Sequence, residues 1–322
     1  MKGSNTHGER FTAEDLVCNS DVMKKVRQEV RLVVDGEDPV LITGEEGTGK
    51  RLLARTIHKE SPRGKESLLE MDLRQYSVND FFPTLYGSKA RKGFLELTAR
   101  GSLLIHHIEA LNYHIQEDFL KALKDGHYQP VDSQDKQDIT TRFLITASAD
   151  LEDRIEKGTF SEELYQFNSP GEITMPPLRN RKEDIIQLVA LFLTDYCGKN
   201  SIPRPVIPAD VVEMLTYSHW PGNVRRLREV IETNLFLSGE EFELKYLPDD
   251  ITHDSVLEKF LQGESLPTTT RRIEKKILEA ALRKFGGHQV KTARYLGLAS
   301  EGTLRAKLVR LGVSVVKKKR EQ

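Results

Sequence analysis

Cysteine is nearly absent from this chain: Cys18 and Cys197 are the only two in 322 residues, far apart and without metal-ligand spacing. That excludes a disulfide-stapled scaffold and fits a reducing compartment. No apolar run approaches the roughly 20 residues a membrane-spanning helix needs. The opening stretch MKGSNTHGERFTAEDL has neither a hydrophobic core nor a small-residue cleavage site. Neither membrane insertion nor secretion is therefore expected, and a cytoplasmic location is. Net charge is close to zero, −1 overall, but unevenly distributed. Residues 271–322 carry 15 Lys+Arg against 4 Asp+Glu, net +11, and the rest carries 33 against 45, net −12. A compact basic segment on an acidic body points to a module that binds a polyanion. What remains is ordinary soluble composition and enough length for two or three domains.

Between residues 15 and 150, helical stretches alternate with short apolar strands: VLIT (40–43), SLLEMDL (67–73), SLLIHHI (102–108) and RFLITAS (142–148). Strands separated by helix-length segments predict an α/β fold with a parallel sheet covered on both faces. Residues 182–238 read as helices, with KEDIIQLVALFLTDYC holding a 3.6-residue apolar period and PADVVEMLTYSHW beginning at Pro208. The polar stretch THDSVLEKFLQGESLPTTT (252–270) reads as a linker. After it, RRIEKKILEAALRKFGG sets Ile273, Ile277, Leu278, Ala281, Leu282 and Phe285 on one helical face, stopped by Gly286 and Gly287. Part of that face is expected at a dimer interface.

LITGEEGTGKR places Gly44, Glu45, Glu46, Gly47, Thr48, Gly49 and Lys50 directly after an apolar strand and before the helical LLARTIH. This is G-x-x-x-x-G-K in the required strand–loop–helix context. Glycines let backbone N–H groups approach phosphate oxygens, the helix presents its positive end, and the lysine reaches the outer phosphates. ATP or ADP is the expected occupant. The next residue is Arg51, where a Ser or Thr ordinarily ligates magnesium, so a metal site already lacks one oxygen ligand.

GEEGTGKRLLARTIH, PPLRNRKEDI (176–185) and WPGNVRRLREVIE (220–232) together resemble the AAA-plus domain of the bacterial sigma-54-dependent activators, or enhancer-binding proteins. GGHQVKTARYLGLASEGTLRAKL is similar to the Fis-type helix-turn-helix of those proteins. The resemblance runs from Asp15 to Val313. It implies a tail (1–14), a P-loop AAA-plus α/β subdomain of three layers around a parallel sheet (15–180) and a helical lid (181–250). A linker (251–270), a small all-α helix-turn-helix domain (271–313) and a basic tail (314–322) complete it. Because about 14 residues precede the AAA-plus region, the sensory domain common at the N-terminus of this family is expected to be missing.

Against that family several positions depart. Its second Walker motif ends a strand in Asp-Glu, one holding magnesium and one polarising the attacking water; those positions align with His106 and His107. Imidazole is a poor ligand for a hard cation, so magnesium should bind weakly or not at all and hydrolysis should be crippled. Successive strand residues point to opposite faces, so the two rings are not expected to share a transition metal. Packed, hydrogen-bonded histidines are the preferred reading, with no metal site. The arginine-finger positions align with Ser161 and Phe167, and an arginine finger contributes about 10³–10⁵ in rate. The first sensor position is Ser148 instead of Asn, while Arg225 matches the second sensor arginine and is expected to contact phosphates. The family's Gly-Ala-Phe-Thr-Gly-Ala loop, which engages the sigma factor, is missing from TLYGSKARKGFLELTARGSLLI (84–105).

In the C-terminal segment Ser300 is read as the cap of the recognition helix. Glu301, Gly302, Thr303, Arg305 and Ala306 are candidates for the major groove, and Lys307, Arg310 and Lys291 for phosphates. Lys317, Lys318, Lys319 and Arg320 add nonspecific phosphate affinity. The expected partner is double-stranded DNA at a palindromic site, bound by a dimer formed through this domain. A ring of AAA-plus domains and contact with RNA polymerase stay open. Two other functions stay open as well. One is a working ATPase in which Glu109 or Asp72 replaces the lost carboxylates. The other is a sensor whose basic site at Lys50, Arg51 and Arg225 binds a signalling nucleotide such as a cyclic dinucleotide.

Overall fold

The computed structural model describes residues 16–238, 242–243, 246–248, 251 and 265–313. The N-terminal tail, the basic tail with Lys317–Arg320, most of the linker and the side chain of Ile273 lie outside the described residues. The chain forms two compact units, Met1–Val212 with Trp220–Leu247, and Glu213–His219 with Pro248–Gln322.

The first unit begins with α1 (Asp21–Val33), capped by Ser20, then β1 (Val40–Thr43), α2 (Lys50–Glu60) and β2 (Leu68–Asp72). After α3 (Val78–Leu85) come the hairpin of β3 (Gly87–Ser88) and β4 (Arg91–Lys92), the one-turn α4 (Phe94–Leu97) and β5 (Ser102–His106). Then follow α5 (Tyr113–Asp125), a hairpin of β6 (His127–Tyr128) and β7 (Gln137–Asp138), β8 (Arg142–Thr146), α6 (Leu151–Glu156), α7 (Glu162–Asn168) and β9 (Ile173–Thr174). The helices α8 (Lys182–Asn200), α9 (Ala209–Tyr217) and α10 (Asn223–Ser238) come next.

The central sheet has order β2-β5-β8-β1-β9, and every pairing is parallel. Both its faces are covered, which is why its strands read as near-continuous apolar runs. The two-residue side-chain period divides them. Leu41, Leu103, Ile105, Phe143 and Ile145 join one core with Phe81 and Phe119, while Ile42, Leu104 and Leu144 join another with Val26, Leu53 and Ile57. The register then sets the site: Asp72 pairs with His106 on β5, and His106 pairs with Thr146 on β8.

Three details differ from the sequence reading. The strand expected over 102–108 ends at His106, because His107 adopts a left-handed backbone (φ 59°, ψ 56°) and starts a 3-10 turn over Ile108–Ala110. β9 adds a fifth strand, too short at two residues for its alternation to be visible.

In the second unit, α11 (Leu266–Lys284) already begins inside the stretch read as linker. Pro267 lies in its first turn, where a missing N–H breaks no helical hydrogen bond. With α12 (Gln289–Tyr295) and α13 (Glu301–Arg310) it encloses a small core of Leu278, Leu282, Ala293, Leu304 and Leu308.

Candidate functional site

The phosphate loop leaves the buried end of β1 and enters α2 through Gly49, which has a left-handed backbone (φ 106°). Gly47 is required twice over: its φ is 76°, and a Cβ there would lie 2.1 Å from the Gly222 carbonyl oxygen. Lys50 Nζ donates to the carbonyls of Gly44 (2.5 Å) and Glu45 (2.9 Å), and Thr48 Oγ1 to that of Glu45 (2.8 Å). Burial pushes the Lys50 ammonium below the usual lysine range, opposed chiefly by the charge of Glu109.

The lid grips this loop. Arg179 makes a two-point ion pair with Glu45, and Asn223 Nδ2 donates to Glu45 Oε2 at 3.1 Å and to the Glu46 carbonyl at 2.9 Å. Arg225, expected at phosphates, donates Nη1 to Glu46 at 2.8 Å, and this partner holds the Glu46 carboxyl below its usual range. Both side chains are mostly exposed, so the pair is weak and exchangeable.

A cavity of about 960 Å³ extends from the loop across the C-terminal ends of β2 and β5. Seven cations line it (Lys50, Arg51, Arg55, Arg74, Arg91, Arg225, Arg228) against three carboxylates (Glu46, Glu70, Asp72), which suits a polyanion. Arg51 Nε donates to Glu70 Oε2 and Arg55 Nε to Oε1, each at 2.6 Å. His106 Nε2 lies 3.1 Å from the same carboxylate and its Nδ1 3.3 Å from Thr146 Oγ1. Burial alone would raise the Glu70 carboxyl, but His106, Arg55 and Arg51 outweigh it and draw it down to about 2.

His107 Nδ1 lies 3.2 Å from Glu109 Oε1. Glu109 is nearly buried, and its other oxygen has no hydrogen-bond partner among the described residues. Asp72, the other carboxylate weighed as a replacement, accepts from Arg74 through both oxygens; burial works to raise its carboxyl, and Arg74 leaves it lowered. Among the described residues no group of three or more His, Cys, Asp or Glu is placed to hold a metal ion.

The aligned finger and sensor positions have local structural partners. Ser161 caps α7, accepting from Leu164 N, while its own N–H donates to buried Gln116 at 2.7 Å. Phe167 packs half-buried against the larger sheet core. Ser148 donates its hydroxyl to Asp150. The β3–β4 hairpin turns with only Lys89 and Ala90 between its strands.

In the second unit Ser300 caps α13 by accepting from Thr303 N at 3.2 Å. Gly302, Arg305, Ala306 and Val309 form an exposed stripe at helical spacing, and Lys291 is exposed on α12. Val309, 78% exposed, escaped the sequence reading, which had no means of telling the outer face from the inner. Arg305 is held by Glu301 (2.9 Å) and Gln289. Lys307 and Arg310, read as phosphate contacts, both pair with Glu274 of α11, because the 307/310 spacing turns them to that flank. Glu70, Arg55 and Glu274 were also missed: Glu70 and Glu274 act through strand or helix neighbours far away in sequence, and only the i, i+4 spacing of Arg51 and Arg55 was visible.

The family of the Sigma-54 interaction domain matches residues 16–170, that of the AAA+ ATPase lid domain 179–262, and that of the bacterial regulatory proteins of the Fis family 269–311. The transcriptional regulatory protein ZraR of Klebsiella oxytoca is 31% identical over 92% of this chain and 68% of its own length. The HTH-type transcriptional regulatory proteins TyrR of Citrobacter braakii and Salmonella typhimurium are 31% and 32% identical, and the chain spans 63% and 59% of their lengths. Crystal structures of NtrX from Brucella abortus with ADP and with ATP superpose with a TM-score of 0.69 at 29% and 28% identity. They cover 92% and 95% of this chain, and 69% and 70% of NtrX.

Proposed function

Since this chain belongs to the family of bacterial sigma-54-dependent activators, we propose that it is a DNA-binding transcriptional regulator whose AAA-plus part binds ATP or ADP but scarcely hydrolyses it. Nucleotide binding is supported by the left-handed glycines of the phosphate loop, by the cation excess of the cavity, and by the ADP and ATP complexes of NtrX. Lys50, Arg51 and Arg225 supply the positive charge, and the loop N–H groups meet the phosphates.

The observation that carries the loss of hydrolysis is His106, whose ring is occupied by Glu70 and Thr146 where a metal-holding carboxylate is needed. Imidazole at 106 and guanidinium at 51 do not suit magnesium, which demands oxygen ligands, so no step is assigned to a metal. Ser161 as a helix cap and Phe167 packed half-buried against the core leave no guanidinium at the finger positions, and the two-residue β3–β4 turn leaves no room for a sigma-engaging loop. The regulator is accordingly assigned to promoters that need no sigma-54 remodelling, with RNA polymerase as a partner there. A dimer through the helix-turn-helix unit would read a palindromic site; a ring is the alternative assembly.

Phosphate release from ATP with magnesium tests this, with Lys50→Ala as the blank. Turnover indistinguishable from the blank is expected, and turnover at the level of active AAA-plus proteins would overturn the reading. One observation favours a second reading: the unpartnered oxygen of Glu109 near Lys50 makes it a candidate base in a rewired ATPase. That reading requires turnover that both Lys50→Ala and Glu109→Gln abolish.

A further inference from the structure

Arg51 and Arg55 stand one turn apart on α2, so their side chains share a face, and both reach Glu70 on the sheet's edge strand β2 at 2.6 Å. Each does so through Nε alone. Neither has another hydrogen-bond or ion-pair partner among the described residues. The Nη groups, the planar ends that grip a phosphate at two points, therefore stay uncommitted. Both side chains line the cavity together with Lys50. The Glu70 side chain is only 18% exposed, and His106, itself placed by Thr146, holds the same oxygen that Arg51 uses. The guanidinium pair is thus braced from the sheet rather than loose on the surface.

We propose that Arg51 and Arg55, positioned by Glu70, form a phosphate subsite that supplies part of the charge neutralisation a divalent cation would otherwise give, so that the cavity takes a polyphosphate-bearing nucleotide in metal-free form. The proposal rests on the nucleotide-binding reading above. Against the one Glu70 carboxylate the two guanidinium groups leave a net positive charge, part of what a divalent ion would bring, and keep it at any physiological pH. Unlike magnesium, they bring donors of fixed direction. Arg51 falls where P-loops ordinarily have a magnesium-ligating Ser or Thr, and His106 falls where a metal ligand is needed, so both departures meet on one carboxylate.

Calorimetric titration of the full chain with ATP, ADP and inorganic tripolyphosphate, with magnesium and with a chelator, tests this. The comparison uses Lys50→Ala, the pair Arg51→Ala with Arg55→Ala, and the pair Arg51→Lys with Arg55→Lys. Thermal unfolding checks that each variant is folded. ATP affinity of the unaltered protein is expected to agree within about threefold between magnesium and chelator, and the alanine pair to weaken ATP and tripolyphosphate by about tenfold or more. The lysine pair keeps the charge and loses the planar fork, so it should fall between. Tenfold tighter ATP binding with magnesium overturns the proposal. ATP binding that Lys50→Ala abolishes but neither arginine pair changes also overturns it, while leaving the nucleotide reading standing. Tripolyphosphate binding lost in the alanine pair, with ATP and ADP not bound at all, supports the subsite and refutes the nucleotide reading. No binding of any of the three refutes both.

Discussion

Glu70 sits where three donors converge, and acid should therefore reveal it. Its folded carboxyl is drawn down to about 2 from an ordinary 4.5, so the unfolded chain binds the proton more readily. The stabilisation is complete above pH 4.5 and is lost as pH falls towards 2, and it amounts to the order of 3 kcal/mol. Glu70→Gln is expected to lower stability at neutral pH by up to that amount and to leave it nearly unchanged at pH 2, measured as denaturant midpoints across the range. The same carboxylate bears on any attempt to restore a metal site. His106→Asp with His107→Glu would remove a donor from Glu70 and set a second carboxylate diagonally across the strands. These two changes are expected not to restore ATP hydrolysis, because Ser161 and Phe167 still offer no guanidinium. Recovery of phosphate release by them alone would show that the finger positions lie elsewhere.

At the scale of elements, the β3–β4 hairpin depends on a close crossing of two glycines. Gly87 has φ 78°, and a Cβ on it would lie 2.3 Å from the Gly93 amide nitrogen. Gly87→Ala combines an unfavourable backbone with a backbone clash, and is expected to destabilise the first unit by about 1–3 kcal/mol. Thermal unfolding would show it, and a loss under about 0.5 kcal/mol, the range of neutral surface changes, would mean the hairpin shifts freely. The elements also show where sequence reading reaches its limit. The apolar runs at 40–43, 67–73, 102–108 and 142–148 located four of the five parallel strands, because a sheet buried on both faces needs such runs. They did not locate the end of β5, since nothing in the pair His106-His107 announces a left-handed residue.

At the scale of the whole molecule, the +11 segment predicts how DNA binding responds to salt. Affinity should fall linearly on a log–log plot, with a slope of about −0.9 per phosphate neutralised. Lys291→Ala is expected to flatten that slope by about one without changing sequence preference, whereas Arg305→Ala, on the exposed stripe of α13, should relax preference at one base pair at a loss of about 1–3 kcal/mol. Fluorescence anisotropy against specific and scrambled duplexes at several salt concentrations separates the two. An equal effect of both changes on all sequences would place Arg305 on the backbone.

Local patterns were enough for the α/β class, the phosphate loop, the lid, the helix-turn-helix and their family, because each is written in contiguous residues with a characteristic period or spacing. The histidines at the positions where the resemblance expects Asp-Glu were visible in the same way. What surrounds them was not: Glu70 meets His106 only through the β2–β5 register, and meets Arg51 and Arg55 only because α2 packs on the sheet face and its long arginine side chains reach the edge strand. Likewise, Lys307 and Arg310 turned out to face Glu274, which no linear spacing relates to them. Pairings between distant segments arise from burial and register, which are properties of the assembled sheet and helices.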